Sequence, residues 1–293
     1  LGIVAIQDLA GVDIVFTYPG GASLELQDAL NRYGLKRILV SHEQGAIFAA
    51  IGYSRSSKST GVVLVTSGPG ILNTFTGQAD ALKDSIDVIV FGGQVPTAAL
   101  SSDAFQGVEA ARAAVPLVKQ VYQFRNQSPS QNLFSRLYNL FTFKGYEVNR
   151  AEELESVIRK AFVEARNGKP GPVYVEVTKD TSQKQIAIDP KKRGGRTYTN
   201  VLKRLEQLSE LGGYYLKIFE RYQSKRNLDR ALEAIINSEN PVIYFGGGVI
   251  SAEAQQELLE FMNRTGIPAV HTLHGKDNEA IPYNYPLNYG MLG

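Results

Sequence analysis

The sequence predicts an α/β fold, a parallel-sheet domain followed by part of a Rossmann-like unit, and three observations carry that prediction. Short runs rich in valine and isoleucine recur, at 12–16, 37–40, 62–66, 87–91, 172–177, 241–245 and 267–270. Most of them lack polar alternation, as strands covered on both faces of a parallel sheet do. Segments of helical length lie between the early runs, at 23–33, 43–55 and 72–83, and that spacing is the signature of βαβ units.

Each later element follows from the same rules. Ahead of the run at 172–177, Leu154, Val157, Ile158, Ala161, Phe162 and Ala165 mark one face of a helix that Asn167-Gly168 ends. Residues 1–180 are therefore expected to form the first domain. Within it, 122–149 spreads aromatic residues through a polar stretch and reads as an insertion. Residues 181–227 read as a linker, polar at first and then helical in spacing, broken by Gly212-Gly213. Its basic run at 191–196 fits a solvated loop better than a phosphate site. From 228 to 293 a second α/β pattern begins and is still incomplete at Gly293.

Composition narrows the classes of function. With 31 Lys and Arg against 29 Asp and Glu, the net charge of +2 gives no electrostatic surface for nucleic acid or an anionic membrane. The absence of cysteine removes disulfides, thiolate metal sites and thiol nucleophiles, and fits a reducing compartment. No apolar run approaches the roughly 18 residues that span a bilayer, and the first residues lack a signal-peptide pattern. A soluble protein is expected, in cytoplasm or in an organelle such as a plastid or mitochondrion, with a small molecule or another protein as partner.

Open parallel sheets bind ligands beyond the carboxyl ends of their strands. Three glycine-rich loops are expected there, 18–23, 66–73 and 92–96, and "GGG" at 246–248 follows a strand of the second unit. None matches the P-loop or the dinucleotide fingerprint. His271 and His274 share a metal-pair spacing without an evident third ligand. Asp80, Asp84 and Asp87 fall where carboxylates cap or solvate, and no G-x-S-x-G elbow occurs. Glu43 remains, at a strand-to-helix junction among Gly45, Ala46, Ile47, Phe48, Ala49, Ala50 and Ile51. Such a carboxylate serves either as a helix-start residue favoured by the dipole or as a poorly solvated group able to hydrogen-bond a buried heterocycle.

The stretches "VFTYPGGASLELQDAL", "SHEQGAIFAAIGYSR", "GVVLVTSGPGILNTFTGQADALKDSIDVIVFGGQVPT", "SDAFQ", "GKPGPVYVEVTKD", "VIYFGGGV" and "GMLG" together resemble the acetolactate synthase (acetohydroxyacid synthase) large subunits, within the thiamine diphosphate-dependent decarboxylases. The resemblance implies that 1–180 is a pyrimidine-binding domain and 228–293 part of a flavin-binding central domain. It implies that Glu43 hydrogen-bonds the cofactor's aminopyrimidine and favours the tautomer that removes the thiazolium C2 proton. Pyruvate is then decarboxylated and joined to a second 2-oxoacid, a step of valine, leucine and isoleucine biosynthesis. By the same resemblance Pro19, Gly20, Gly21, Gly68 and Asn73 border the pyrimidine, and Phe105, Gln106 and Lys119 approach the substrate. Gly246, Gly247, Gly248, Thr272, Leu273, His274 and 291–293 belong to the FAD side. Gly107 and Ser41 depart from the family's usual acid and arginine.

In the family, Mg²⁺ and the diphosphate are held by a C-terminal domain, so no metal ligand is expected in these 293 residues and this polypeptide alone is expected to bind the cofactor weakly and turn over nothing. A homodimer or tetramer and a regulatory small subunit are the implied partners. Two alternatives stay open: a truncated, non-catalytic paralogue acting by association with an intact subunit, and another carboligase or oxidase of the same family.

Overall fold

The computed structural model describes residues 12–100, 102–125, 146–148, 154–184, 225–276 and 281–292. It divides into two compact units, Leu1–Ile188 and Asp189–Gly293. Among the described residues the first carries seven strands: β1 (Ile14–Thr17), β2 (Lys36–Leu39), β3 (Gly61–Val65), β4 (Val88–Gln94), β5 (Gln120–Phe124), β6 (Tyr146–Val148) and β7 (Val173–Thr178). All pair in parallel, in the order β2-β1-β3-β4-β7-β5-β6.

The apolar runs are buried on both sides because helices cover both faces. Val62 and Leu64 pack with Leu30 of α1 (Leu24–Arg32) and with Val157, Ile158 and Phe162 of α6 (Leu154–Arg166). Their neighbours Val63 and Val65 point the other way, into a cluster with Ala46, Ile47, Ala50 and Ile51 of α2 (Glu43–Ser57), Ala81 of α4 (Phe75–Asp84) and Ala110, Ala111 and Ala114 of α5 (Ala110–Ala114). β3, β4 and β7 are buried along their whole length, whereas β2 is an exposed edge.

The order of strands places the functional end of the sheet. From β1 the chain moves outward to β2, and from β3 it moves the opposite way to β4, although β1 and β3 are neighbours. Connections that diverge from adjacent parallel strands leave a crevice beyond their carboxyl ends. The loops at 18–23 and 66–68, and the start of α2, meet there.

Three expectations are corrected. The segment 122–149 is not wholly an insertion, since its ends lie in β5 and β6 and pair with each other at Tyr122–Tyr146 and Phe124–Val148; polar Gln123 in the middle of β5 hides the strand from an apolar pattern. The helix expected at 72–83 starts earlier, as α3 (Pro69–Leu72), and breaks before α4, where the Thr74 hydroxyl takes the Ile71 carbonyl at 2.7 Å. The glycine-rich loop at 92–96 is strand as far as Gln94, paired with β7 through Gln94–Thr178. Residues 191–196 and most of the linker lie outside the described residues.

The second unit orders three parallel strands as β10 (Asn288–Met291), β9 (Ala269–His271) and β8 (Ile243–Phe245). Its small core joins Phe245, Met262, Ala269 and Ile281. No helix among the described residues is long and apolar enough to cross a membrane.

At the amino end of the first sheet, Asp87 ties the two helical layers together. It accepts from Ser54 Oγ of α2 at 2.9 Å, from Thr60 Oγ1 at 2.6 Å and from Arg166 Nε of α6 at 3.2 Å. Charge-assisted bonds of this kind are the stronger sort. Asp87→Ala is expected to lower stability by about 1–3 kcal/mol, read as a lower urea midpoint with an unchanged slope; an unchanged midpoint would contradict the assignment.

Candidate active site

Glu43 is the first helical residue of α2, and His42 caps that helix, its Nδ1 accepting from the Gln44 N–H at 3.1 Å. The side of α2 that bears Ala46, Ile47 and Ala50 is packed without slack. A Cβ on Gly61 would lie 2.3 Å from the Ala50 carbonyl oxygen, and one on Gly77 of α4 would lie 2.4 Å from Ile47 Cγ2. The helix start is thereby fixed against both β3 and α4, and with it the Glu43 carboxylate, which is 7% exposed.

A buried carboxylate needs hydrogen-bond donors. Asn73, at the end of α3, supplies one, from Nδ2 to Glu43 Oε2 at 2.9 Å. Oε1 lies on the side of Gly70, 3.4 Å from where a Cβ of that residue would be. Among the described residues no hydrogen bond reaches Oε1.

The two loops around this carboxylate touch each other. Ala22 N–H donates to Thr66 Oγ1 at 3.3 Å, and a Cβ on Gly20 would fall 2.5 Å from Thr66 Cβ, so only glycine fits there. Ser23 folds the first loop back, its Oγ donating to the Gly20 carbonyl at 3.1 Å. Gly68 has φ +58° and ψ −121°, a backbone open to glycine alone. Its missing side chain leaves room for Gln106, whose Cβ would otherwise be 2.9 Å away and whose own φ is +60°. Phe105 beside it is 88% exposed. The structure thus brings Pro19, Gly20, Gly21, Glu43, Gly68 and Asn73 to one end of the sheet, with Phe105 and Gln106 joined through Gly68.

Lys119 is not brought there. It precedes β5 at the amino end of the sheet, and its Nζ donates to the Glu164 and Asn167 carbonyls at 2.5 and 2.8 Å, closing the C-terminus of α6. Spacing along the chain could not show that a residue before a parallel strand and one after it lie at opposite ends of the sheet. Lys179, the first residue of α7 (Lys179–Ser182) after β7, is a cation that does follow a strand at the carboxyl end.

Sequence reasoning also missed a polar cluster under the loop that follows β4. Glu176 of β7 is fully buried and accepts from Gln123 Nε2 at 2.5 Å, Gln94 Nε2 at 3.1 Å and Tyr174 Oη at 3.1 Å. Burial pushes the Glu176 carboxyl up, opposed by those donors and by Arg125. Burial and the nearby Glu176 charge push the Tyr174 phenol up as well. The available signal was one acid inside the apolar run at 172–177. Beyond it, burial acting alone would raise the Asp180 carboxyl, yet hydrogen bonds from the Thr97 N–H and from the Thr178 and Thr97 hydroxyls hold it below the usual range, fastening the loop after β4 to α7.

In the second unit, Gly246–Gly248 and Thr272–His274 meet at the carboxyl ends of β8 and β9. Thr272 N–H donates to the Phe245 carbonyl at 2.9 Å, and a Cβ on Gly246 would lie 2.9 Å from Thr272 Oγ1. Leu273 is exposed above them. His271 is a core residue, packed at 5.5 Å on the Phe245 ring with Nδ1 at the Thr272 carbonyl. Among the described residues no group of three or more His, Asp or Glu side chains could hold a metal ion.

Comparison with known proteins gives two family matches. Residues 3–114 match the thiamine pyrophosphate enzyme N-terminal TPP binding domain, and 228–293 match the thiamine pyrophosphate enzyme central domain. The chain is 36% identical over 287 residues to an acetolactate synthase of Arthrospira platensis, covering 97% of this chain and 42% of that protein. It is 35% identical over 292 residues to the chloroplastic acetolactate synthase 2 of Nicotiana tabacum, covering 99% and 37%. A probable acetolactate synthase large subunit of Methanocaldococcus jannaschii is 35% identical over 291 residues, covering 99% and 42%. The chain spans about two fifths of the length of these relatives.

The glycines of the site differ in what they allow. Gly68→Ala is expected to cost about 1–3 kcal/mol, because a Cβ there meets Gln106 in a backbone conformation that L residues avoid. Gly21→Ala, with open space around it, is expected to stay within about 0.5 kcal/mol. Equal losses in urea unfolding would contradict the close approach of Gly68 and Gln106.

Proposed function

The chain belongs to the thiamine pyrophosphate enzyme family, and we propose that its first unit holds the aminopyrimidine end of thiamine diphosphate against Glu43, as the pyrimidine side of an acetolactate synthase. The observation that carries this reading is the buried Glu43 carboxylate. One oxygen is held by Asn73, and the other is turned toward a loop whose residues Gly68 and Gly70 carry no side chain. The residues fit the group: a flat ring needs close backbone approach and a partner for a ring nitrogen, and 18–23 with 66–70 supply the first and Glu43 the second.

When bound, thiamine diphosphate supplies a thiazolium electron sink for decarboxylation of a 2-oxoacid. The chain's own contribution is to place and protonate. Glu43 Oε1 would hold a proton toward a ring nitrogen of the bound cofactor, and Asn73 keeps Oε2 from rotating into its place. The rigid α2 holds that geometry, and the low solvation around it keeps water from competing for the proton. Phe105 and Gln106, carried on the loop that abuts Gly68, border the space where pyruvate and a second 2-oxoacid would meet.

Further parts of the proposal rest on the relatives and on the resemblance. Mg²⁺ and the diphosphate are held by residues other than those described here. The segments Gly246–Gly248 and Thr272–His274 of the second unit would line the FAD side. The working assembly is a homodimer or tetramer in which another subunit completes the site, with a regulatory small subunit as a further partner, and the product enters branched-chain amino-acid biosynthesis.

Acetolactate formation from pyruvate by an assembly that also contains the diphosphate-binding domain, in the presence of thiamine diphosphate and Mg²⁺, tests the role of Glu43. Glu43→Gln keeps the volume and removes the proton exchange, so the rate is expected to fall by about 10²–10⁴-fold with the urea midpoint nearly unchanged. A variant as active as the parent would rule out the proposed proton transfer.

A further inference from the structure

Gln94 sits where the end of β4 passes beneath the loop that carries Phe105 and Gln106, and all of its polar atoms are engaged. Nε2 donates to the Val108 carbonyl at 2.8 Å and to Glu176 Oε2 at 3.1 Å, while Oε1 accepts the Val95 N–H at 2.9 Å. Only one rotamer and one amide orientation satisfy these partners, and the side chain is fully buried. Glu176 fixes that orientation. Every neighbour that bonds to it does so as a donor, from Gln123, Gln94 and Tyr174, so its two oxygens act as acceptors only, with the Arg125 charge nearby. The chain of contacts therefore runs from Glu176 through Gln94 to Val108 O and into the turn at 104–110. The Gly107 N–H to Ala104 and Ala110 N–H to Val108 bonds, at 2.8 and 2.7 Å, shape that turn. At its far side Gln106, held at φ +60°, rests on Gly68.

We propose that Gln94 and Glu176 are positioning residues: a buried acceptor-donor relay that fixes the substrate-side loop 104–108 over the cofactor loop at Gly68. The idea deepens the function proposed above and rests on it, because the loop matters for catalysis only if Phe105 and Gln106 meet the 2-oxoacid. Gln94 sets the loop's height through one carbonyl. Glu176 keeps the amide from flipping, since a flipped Gln94 would present its oxygen to both the carboxylate and Val108 O. A purely structural cluster would stabilise β4, β5 and β7 alike. A relay acts on the loop beyond its effect on the sheet, and hydrogen exchange separates the two.

The tests use the whole chain. In Gln94→Leu and in the isosteric Glu176→Gln, the Gly107 and Ala110 amides are expected to exchange about tenfold faster than in the parent, the factor that one net hydrogen bond represents, while the Val90 and Val175 amides of β4 and β7 keep their rates. An equal change in loop and sheet, or none in the loop, overturns the proposal. Should Gln94→Leu not fold, Glu176→Gln decides. Should neither fold, the unmodified chain decides: the Val95 and Gly107 amides must open with the same equilibrium constant, and independent opening overturns the relay. In turnover by an assembly that also contains the diphosphate-binding domain, both variants are expected to lower kcat/KM for the 2-oxoacid with the Kd for thiamine diphosphate unchanged. A protein that binds no thiamine diphosphate would defeat the function proposed above yet leave the exchange result standing. One that binds it normally with an undisturbed loop in both variants would defeat the relay alone.

Discussion

A carboxylate buried to 7% exposure is costly unless donors face it, and the bond from Asn73 Nδ2 to Glu43 Oε2 is the interaction around which this end of the molecule is arranged. It requires α3 to end at Asn73 and the chain to bend before α4. It requires α2 to begin at Glu43, which the His42 cap secures. It also requires the helix to stay where it is, which the close approaches of Gly61 to Ala50 and of Gly77 to Ile47 enforce. One oxygen is thereby spent inside the protein, while among the described residues no hydrogen bond reaches the other.

The same sheet end carries a second polar construction, different in kind. Around Glu176 the donors outnumber the acceptors and the group is sealed from solvent, so that cluster serves to hold protein against protein. Around Glu43 a single donor is supplied and the neighbouring backbone is stripped of side chains. The contrast fits the proposed reading, in which Glu43 binds and Glu176 supports. It also explains why the loops after β1, β3 and β4 interlock, through Thr66, Gly68 and Gln94, instead of standing as separate turns.

The strand pattern and Glu43 were legible because both depend on local composition: apolar runs without alternation, and a lone acid entering a small, apolar helix. The bond between Asn73 and Glu43 was not legible, since resemblance set Asn73 only at the border of the pyrimidine and the two residues, thirty positions apart, meet through the fold. Lys119 shows the limit of that route, for a motif match placed it near the substrate and the parallel register places it at the other end of the sheet. Glu176, Gln94 and Gln123 escaped notice because polar residues in strands look like exceptions until three strands bring them together. The ends of β5 and β6 were hidden for the same reason.

The most direct test is a crystal structure of the protein grown with thiamine diphosphate and Mg²⁺. The account predicts the aminopyrimidine ring between 18–23 and 66–70, with a ring nitrogen within about 2.6–3.2 Å of Glu43 Oε1 and the Asn73 bond to Oε2 retained. A ring bound elsewhere, or seated there with Glu43 turned away from it, would contradict it.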